Sequence, residues 1–386
     1  MDEFPHFYVS FSGGKDSGAL LNLVIEEARK RGRLPIDVLI VDLEAQYQHT
    51  IEYIHSMVER SEVNPYWVCL PLSLRNSVSQ YQPKWTCWDP DEKSLWLRDL
   101  PNLTSVINDE HYFPFFKKGM EFEDFVYQFM VWYQQKKGTA CIGLVAIRSD
   151  ESLYRYKTIK NTKKRKFRNI NWTTYIAQDC YLAFPIYDWR VSDIWTANAK
   201  FLWQYNRIYE LMHKAGVPLS QQRLCQPFGD DQRRGLWLYQ ILEPNTWQRL
   251  VQRVQGCNFG ARYSKEQGRI LGYYRFELPK DHTYRSYAKF LLSSMPPNME
   301  LHYRSRIFQF LLWWKRNGKR QGIYRIPDFA DKKLEAQKKI PSWRRICKVL
   351  IKNDYLCRGL SFGFNQALAN KSLEYYKTYL QNNKGK

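Results

Sequence analysis

The sequence lacks several features that define well-known classes of protein. None of its eight cysteines forms a CxxC pair, so zinc ribbons and iron–sulfur cluster motifs find no support, and we expect neither group. No uninterrupted apolar stretch approaches the ~18 residues of a membrane span. No basic and then apolar leader accompanies the N-terminal Asp2 and Glu3. There are no internal repeats. We therefore expect a cytoplasmic protein with reduced thiols and no membrane partner.

Acidic residues are scarce in the second half of the chain. Residues 1–200 hold 25 Lys and Arg and 25 Asp and Glu, whereas residues 201–386 hold 34 basic and 13 acidic residues, which accounts for the whole net charge of +21. An excess of this size in one half favours a polyanionic partner. The chain also has 14 Trp, 27 Tyr and 21 Phe. Cations interleaved with aromatic rings suit nucleic acid, because rings stack on bases and cations meet phosphates; an acidic partner protein is the alternative.

The order of apolar runs predicts an α/β domain over residues 1–200 and a mainly helical, basic domain over residues 201–386. A chain of 386 residues is long enough for two such domains. In the first, a parallel sheet has helices on both faces, and residues 75–120 form an irregular insertion or lid over the site. The predicted strands are 7–11, 36–41, 66–70, 139–145 and 181–186, and the predicted helices are 16–31, 50–60, 122–137, 200–215, 232–255, 284–293, 301–317, 341–353 and 364–381.

The most informative segment is SGGKDS at residues 12–17, which follows an apolar run and precedes another. This order predicts a strand, a glycine turn and a helix. The glycine pair lets the backbone approach a ligand without Cβ clashes, and the start of the helix offers N–H groups and the positive end of its dipole, which suit phosphate. Lys15 adds a point charge, and Ser12 and Ser17 add hydroxyl donors. The Walker A pattern GxxxxGK[ST] cannot be laid over these residues.

The same segment resembles the PP-loop of ATP-pyrophosphatase-type enzymes and of phosphoadenosine-phosphosulfate (PAPS) reductases, since all six positions of SGGxDS are matched. The resemblance covers roughly residues 5–235. It implies a HUP-like parallel sheet that binds ATP or a related adenine nucleotide, with the loop around phosphate or pyrophosphate. The layout of the whole chain is similar to that of the IbrA-like co-activators of prophage gene expression.

Two further segments carry candidate site residues. Asp42 ends the second predicted strand, where open parallel sheets place ligand-binding groups, and with Glu44 it forms a carboxylate pair that could hold Mg²⁺ or contact the nucleotide. The family pattern DTGYxFPET is matched here only in part, because Leu43-Glu44 replaces Thr-Gly. Residues 146–155 resemble the family's GIRxxES..R segment. That resemblance implies that Arg148 and Arg155 hold substrate phosphates and that Glu151 orients an arginine.

These segments define the predicted site. The catalytic candidates are Lys15, Asp16, Asp42 and Arg148, and the metal candidates are Asp16 and Asp42, for Mg²⁺. The predicted nucleotide-binding residues are Ser10, Ser12, Gly13, Gly14, Lys15, Asp16, Ser17, Asp42, Glu44, Arg148, Glu151 and Arg155. A basic run at residues 157–168 follows at once, and we predict that it clamps a polyanion in a salt-sensitive manner through Lys163, Lys164, Arg165 and Lys166.

Three functions remain open from the sequence. The first is an ATP–Mg²⁺ protein that cleaves between the α- and β-phosphates and adenylates or otherwise modifies an acceptor, for which nucleic acid is a candidate. The second is a PAPS or sulfonucleotide reductase, which needs a reactive thiol at Cys225 or Cys357; the family's terminal ECGLH segment is absent, and Cys357-Arg358-Gly359-Leu360 is its nearest match. The third is a nucleotide-dependent, nucleic-acid-binding regulator with little turnover.

Overall fold

The computed structural model describes residues 1–79, 81–224, 226–229, 235–257, 278, 282–293, 295, 297–352, 354–361, 374–379 and 381. The chain divides into two compact units. The first comprises Met1–Arg75 and Lys84–Val254, and the second comprises Asn76–Pro83 and Gln255–Lys386.

The first unit is built on strands β1 (His6–Ser10), β2 (Ile36–Val41), β3 (Val63–Val68), β4 (Ser73–Arg75), β5 (Lys84–Thr86), β6 (Val106–Ile107), β7 (Cys141–Leu144), β8 (Thr173–Ala177) and β9 (Cys180–Ala183). Seven of them form one sheet in the order β6-β3-β2-β1-β7-β9-β8, and β4 and β5 form a separate antiparallel ribbon. Every neighbouring pair in the large sheet is parallel except β8 and β9. The predicted α/β class with a mostly parallel sheet is confirmed.

The helices described in this unit are α1 (Lys15–Lys30), α2 (Gln48–Val58), α3 (Phe122–Lys137), α4 (Leu153–Lys160), α5 (Val191–Lys200), α6 (Ile208–Lys214), α7 (Leu236–Leu242) and α8 (Pro244–Arg253). The first begins directly after the glycine turn, and its inward face is buried through Leu20, Leu21 and Ile25. The third ends at Gly138, which adopts the left-handed conformation that a helix C-terminus favours.

Two regions of the first unit contain strands that the sequence did not predict. Residues 75–120, predicted to be irregular, contain β5, the edge strand β6 and the short 3-10 helix Pro90–Leu95. The hairpin of β8 and β9 was predicted only as a single strand, because β8 has a mixed polar composition, TTYIA, and is mostly half-buried. β6 and β8 are the two edge strands of the large sheet, where a strand needs no continuous apolar run.

Residues 201–254 belong to the first unit, whereas the sequence analysis assigned residues 201–386 to one domain. The physical reason is that residues 201–254 contact the glycine loop and the segment that follows β2. Asn206 donates to the carbonyl of Gly13, and Arg253 pairs with Glu44 at the end of β2. These polar contacts carry no periodic signal in the sequence, so the sequence alone does not show that residues 201–254 pack with the first unit.

The second unit contains α9 (Tyr284–Ser293), α10 (Pro297–Asn317), α11 (Lys332–Ala336) and α12 (Trp343–Ile351), with residues 374–379 also helical. Its core joins α9, α10 and α12 through buried side chains that include Ala288, Tyr303 and Ile346. A helical C-terminal region is thus confirmed, while most of the predicted helix 364–381 lies outside the described residues. Among the helices described in the chain, none is both long enough and apolar enough to cross a membrane.

Candidate functional site

The SGGKDS loop joins the end of β1 to the start of α1. Gly13 has φ of +71°, and a Cβ there would lie 2.8 Å from Thr50 Cγ2 and 2.9 Å from Ile54 Cγ1, so this position requires glycine. Ser12 donates its N–H to Ser17 Oγ at 3.3 Å, and Ser17 Oγ donates to the carbonyl of Gly14 at 3.1 Å. The N–H groups of Gly13 and Gly14 have no partner within the described part of the chain. The loop therefore offers backbone donors at the positive end of α1.

Lys15 and Arg148 lie together beside this loop, with Asp16 between them. Lys15 is 4% exposed, and its Nζ donates to Asp16 Oδ2 and to the carbonyl of Gln222, both at 3.1 Å. Arg148 is 2% exposed and donates through Nε to Asp16 Oδ1 at 2.6 Å. Burial lowers the pKa of Lys15, and Asp16 opposes this effect. Arg148 also donates through Nη1 to Asp150 Oδ2 at 3.3 Å, but that carboxylate is half exposed and solvent screens its charge. Lys15, Arg148 and Asp16 together carry a net positive charge that suits an anion.

Glu151 and Arg155 extend the charged group from the far side of Arg148. Glu151 accepts the N–H of Arg148 at 3.4 Å and pairs through its carboxylate with Arg155. Arg223 donates to the carbonyl of Glu151. The role of Glu151 in orienting an arginine stays a prediction. Arg223 brings a further cation to the group.

Asn206 and Tyr209 hold the glycine loop through hydrogen bonds. Neither residue was among the predicted site residues. Asn206 is fully buried and donates through Nδ2 to the carbonyl of Gly13 and to Thr50 Oγ1, both at 2.9 Å. Tyr209 accepts the N–H of Lys15 at 3.1 Å, and its ring centroid lies 5.2 Å from Lys15 Nζ. These contacts span 193 and 194 residues of the chain, so they leave no local signal in the sequence.

Asp42 is fully buried at the end of β2, and its carboxylate is saturated. Its oxygens accept the N–H of Glu44 at 2.9 Å, the indole N–H of Trp67 at 2.9 Å and the Arg98 guanidinium at 2.6 Å to each oxygen. A carboxylate has about four acceptor positions, and these contacts fill them. The structure thus gives Asp42 a structural role in holding the segment that contains Arg98.

Glu44 is also fully buried, at a φ of +63°, and is saturated in the same way. It accepts the backbone N–H groups of Trp88 at 2.6 Å and Leu97 at 3.1 Å. Arg253 supplies the other two contacts, at 3.1 Å and 3.4 Å. Together Asp42 and Glu44 fix the segment 88–98 against the end of β2.

A magnesium ion held by protein carboxylates does not fit this arrangement. Asp42 has no acceptor position left, and Asp16 is engaged by Lys15 and Arg148. Among the described residues, no three His, Cys, Asp or Glu side chains come together as a metal site. The metal role predicted for Asp16 and Asp42, and the nucleotide contact predicted for Asp42 and Glu44, do not fit these contacts, because the two carboxylates that follow β2 face Arg98 and Arg253.

The basic run at residues 157–168 begins within α4 and belongs to the first unit, where several of its side chains have partners. Arg165 stacks 3.8 Å above the ring of Tyr175, and Lys166 donates to Asn171 at 2.7 Å. Burial lowers the pKa of Lys164, whose Nζ lies 5.6 Å from the ring centroid of Phe184. Lys163 is exposed. The role of these four residues as a polyanion clamp stays a prediction, and Lys164 is the least accessible of them.

The described cysteines are all buried. Burial raises the pKa of Cys69 well above its usual range, that of Cys141 and Cys180 to about 11 and that of Cys257 to about 12. Cys357, a thiol candidate from the sequence, is fully buried in the core of the second unit. The other candidate, Cys225, lies outside the described residues.

Two family models match different parts of the chain. Residues 6–94 match the family described as phosphoadenosine phosphosulfate reductase domain, and residues 216–322 and 319–371 match a domain of unknown function, DUF3440. The chain is 41% identical over 391 residues to the uncharacterized protein YbdN of Escherichia coli (strain K12), covering 100% of this chain and 92% of that protein.

Similarity to solved structures is weak. A PAPS reductase from Candida auris in a phosphate complex has 11% identity and a TM-score of 0.29, and the match covers 54% of this chain and 79% of that one. The FMN adenylyltransferase of Candida glabrata has 13% identity and a TM-score of 0.30, with coverage of 53% and 50%.

Proposed function

Because the chain belongs to the PP-loop/PAPS reductase-like superfamily, in the same family as YbdN, we propose that it binds ATP through the SGGKDS loop and transfers the adenylyl group to an acceptor. The observation that carries this proposal is the buried Lys15 at the start of α1, beside two glycine N–H groups that have no partner among the described residues. Backbone donors, a helix dipole and a lysine in one place suit a pyrophosphate group.

The proposed reaction needs a stabilised leaving group. A nucleophile on the acceptor attacks the α-phosphorus of ATP, the bond from that phosphorus to the bridging oxygen breaks, and pyrophosphate leaves with the electron pair while the acceptor's proton passes to water. Lys15 and the loop N–H groups would stabilise the charge that develops on pyrophosphate. Arg148 would contact the phosphate chain from the side, since Asp16 holds its guanidinium beside the loop at 2.6 Å. We derive no step through a protein-bound magnesium ion.

Sulfonucleotide reduction receives less support from the described residues. A redox thiol needs access and a lowered pKa. The described cysteines are buried, and where a shift is resolved the pKa is raised. Cys225 is the one thiol candidate on which the reductase alternative still depends.

A nucleotide-dependent regulator with little turnover is the second candidate function. It is favoured by one observation, the segregation of charge between the units. The second unit holds 27 Lys and Arg against 9 Asp and Glu, whereas the first unit holds 32 against 29. A basic body joined to a nucleotide-binding fold could respond to ATP without consuming it.

Pyrophosphate release from ATP separates these functions. We expect the wild-type protein to release pyrophosphate when supplied with tRNA or single-stranded DNA as acceptor, and Lys15→Met to lower the rate by about a hundredfold or more, because one preorganised charge contact is worth that much in a transition state. Lys30→Met, at the exposed other end of α1, is the matched control and should keep the wild-type rate. Sulfite release from PAPS would instead establish the reductase, and ATP binding without pyrophosphate release would favour the regulator.

A further inference from the structure

The second unit carries a continuous stretch without any acidic residue. None of residues 301–327 is Asp or Glu, although the stretch contains seven Lys and Arg. Five of these cations are exposed and cluster in sequence at the end of α10 and just beyond it: Lys315, Arg316, Lys319, Arg320 and Arg325. We call them, with Trp313 and Tyr324, the α10-end surface.

Two aromatic side chains close in sequence to these cations are exposed to solvent. Trp313 is 51% exposed and Tyr324 is 78% exposed, whereas the adjacent Trp314 is 6% exposed and belongs to the core of the unit. The rings of Trp313 and Trp314 meet edge to face, with centroids 4.8 Å apart. A large ring left in water loses the stabilisation that burial would give it, and a binding surface is a common reason for that arrangement.

The backbone beneath the α10-end surface is held in one conformation. The helix runs into a 3-10 turn, Gly318–Gln321, which ends at Gly322 with a φ of +73°. Ile323 then returns its N–H to the carbonyl of Gly318 at 2.9 Å. Ile323 and Ile326 pack against the core of the unit, so Tyr324 and Arg325 lie between two buried anchors. The exposed ring and the cation beside it are therefore presented by a fixed turn.

The cations of this surface are available for an external partner. None of the five forms a salt bridge within the described part of the second unit, whereas Arg304 pairs with Glu300 and Arg344 pairs with Glu335 in the same unit. An ordinary solvated basic surface does not require exposed aromatic side chains. Exposed rings beside unpaired cations therefore indicate a binding surface. An acidic protein would use the charges, whereas every nucleotide of a single strand presents both a phosphate for the cations and a flat base for the rings.

We propose that the α10-end surface binds single-stranded nucleic acid, with Trp313 and Tyr324 stacking on bases and the five cations contacting the backbone phosphates. Stacking of this kind is worth a large share of single-strand affinity and tolerates any base, since every base has a flat face. A duplex hides those faces, so the surface should prefer an unpaired strand. The inference rests on the second unit alone and does not require turnover of ATP.

The test is fluorescence anisotropy with labelled oligonucleotides of one length: single-stranded DNA, single-stranded RNA and duplex DNA. We expect the full chain to bind at least one single strand more tightly than the duplex, and the two single-stranded arms decide between DNA and RNA. Trp313→Ala/Tyr324→Ala should weaken single-strand binding by about tenfold or more. Lys319→Ala/Arg320→Ala should reduce the slope of log affinity against log salt by about 1.4, because each of the two lost phosphate contacts removes about 0.7 of slope on a single strand.

Matched controls separate this surface from the net charge of the chain. Lys332→Ala/Lys333→Ala removes two exposed cations of α11, and Tyr127→Ala removes an exposed ring of the first unit. Circular dichroism should match the wild type in every variant. The proposal is overturned if no oligonucleotide binds at low salt, if the duplex binds as tightly as both single strands, or if the surface variants bind no worse than their controls. Because Lys15→Met should keep this binding, failure of the nucleotide site remains distinguishable.

Discussion

Replacement of Arg253 by methionine is expected to lower the free energy of unfolding of the first unit by about 3–5 kcal/mol, the cost of leaving a buried charge without its partner. The side chain of Arg253 is 1% exposed and that of Glu44 is 0% exposed. Arg253 also donates to the carbonyl of Thr86 at 2.7 Å and pairs with Glu92. Its loss would leave Glu44 with only two backbone donors, in a place that water does not reach.

The same helix provides the control. Arg249 lies one turn earlier on α8, is exposed, and makes one hydrogen bond to the carbonyl of Leu97 at 2.9 Å. Arg249→Met should cost about 1 kcal/mol or less. Urea denaturation followed by tryptophan fluorescence measures both. Glu44→Gln/Arg253→Met should recover part of the loss, because the buried charge is gone. If Arg253→Met costs no more than Arg249→Met, the structural role given to Glu44 is wrong.

Replacement of Arg148 by methionine is expected to weaken ATP binding by about a hundredfold, equivalent to about 2.7 kcal/mol. Of the two carboxylates that Arg148 contacts, Asp150 is half exposed, and Asp16, at 2.6 Å, is the one beside Lys15. Neutralising Asp16 would leave the charge of Lys15 for the proposed phosphate chain. Without the arginine, the charge of Asp16 would cancel that of Lys15, to which it already accepts a hydrogen bond at 3.1 Å. The anion site would then be close to neutral.

A second substitution tests that explanation directly. Asp16→Asn/Arg148→Met removes both charges, so Lys15 is again uncompensated, and ATP affinity should partly recover. Arg29→Met removes an exposed cation at the other end of α1 and should leave affinity unchanged. Equilibrium dialysis with labelled ATP measures all of them. Wild-type affinity in Arg148→Met, or no recovery in the double variant, would contradict the role assigned to the Asp16–Arg148 pair.

The sequence predicted the parts of the site whose signal is local. The SGGKDS loop combines a strand end, a glycine turn and a helix start within a few residues, and the segment containing Arg148 and Glu151 follows a strand in the same way. The parallel sheet was predictable because buried parallel strands, such as β2, are continuous apolar runs.

The sequence could not reveal partners that are distant in the chain. Asp42 and Glu44 had the composition of a metal site, and only their arginine partners, 56 and 209 residues away, show that they are structural. Asn206 and Tyr209 reach the loop across 193 and 194 residues. The periodicity of α6 gives its helical character but not which polar side chains point to the loop.

We propose that the SGGKDS loop holds the phosphate chain of an adenine nucleotide. Isothermal titration calorimetry of ATP against the full chain is the sharpest test of this proposal. We predict saturable binding at one site, much weaker binding of adenosine, which has no phosphate, and a loss of ATP affinity in Lys15→Met but not in Lys30→Met. Absence of ATP binding, or equal affinity in the wild type and Lys15→Met, would contradict the claim.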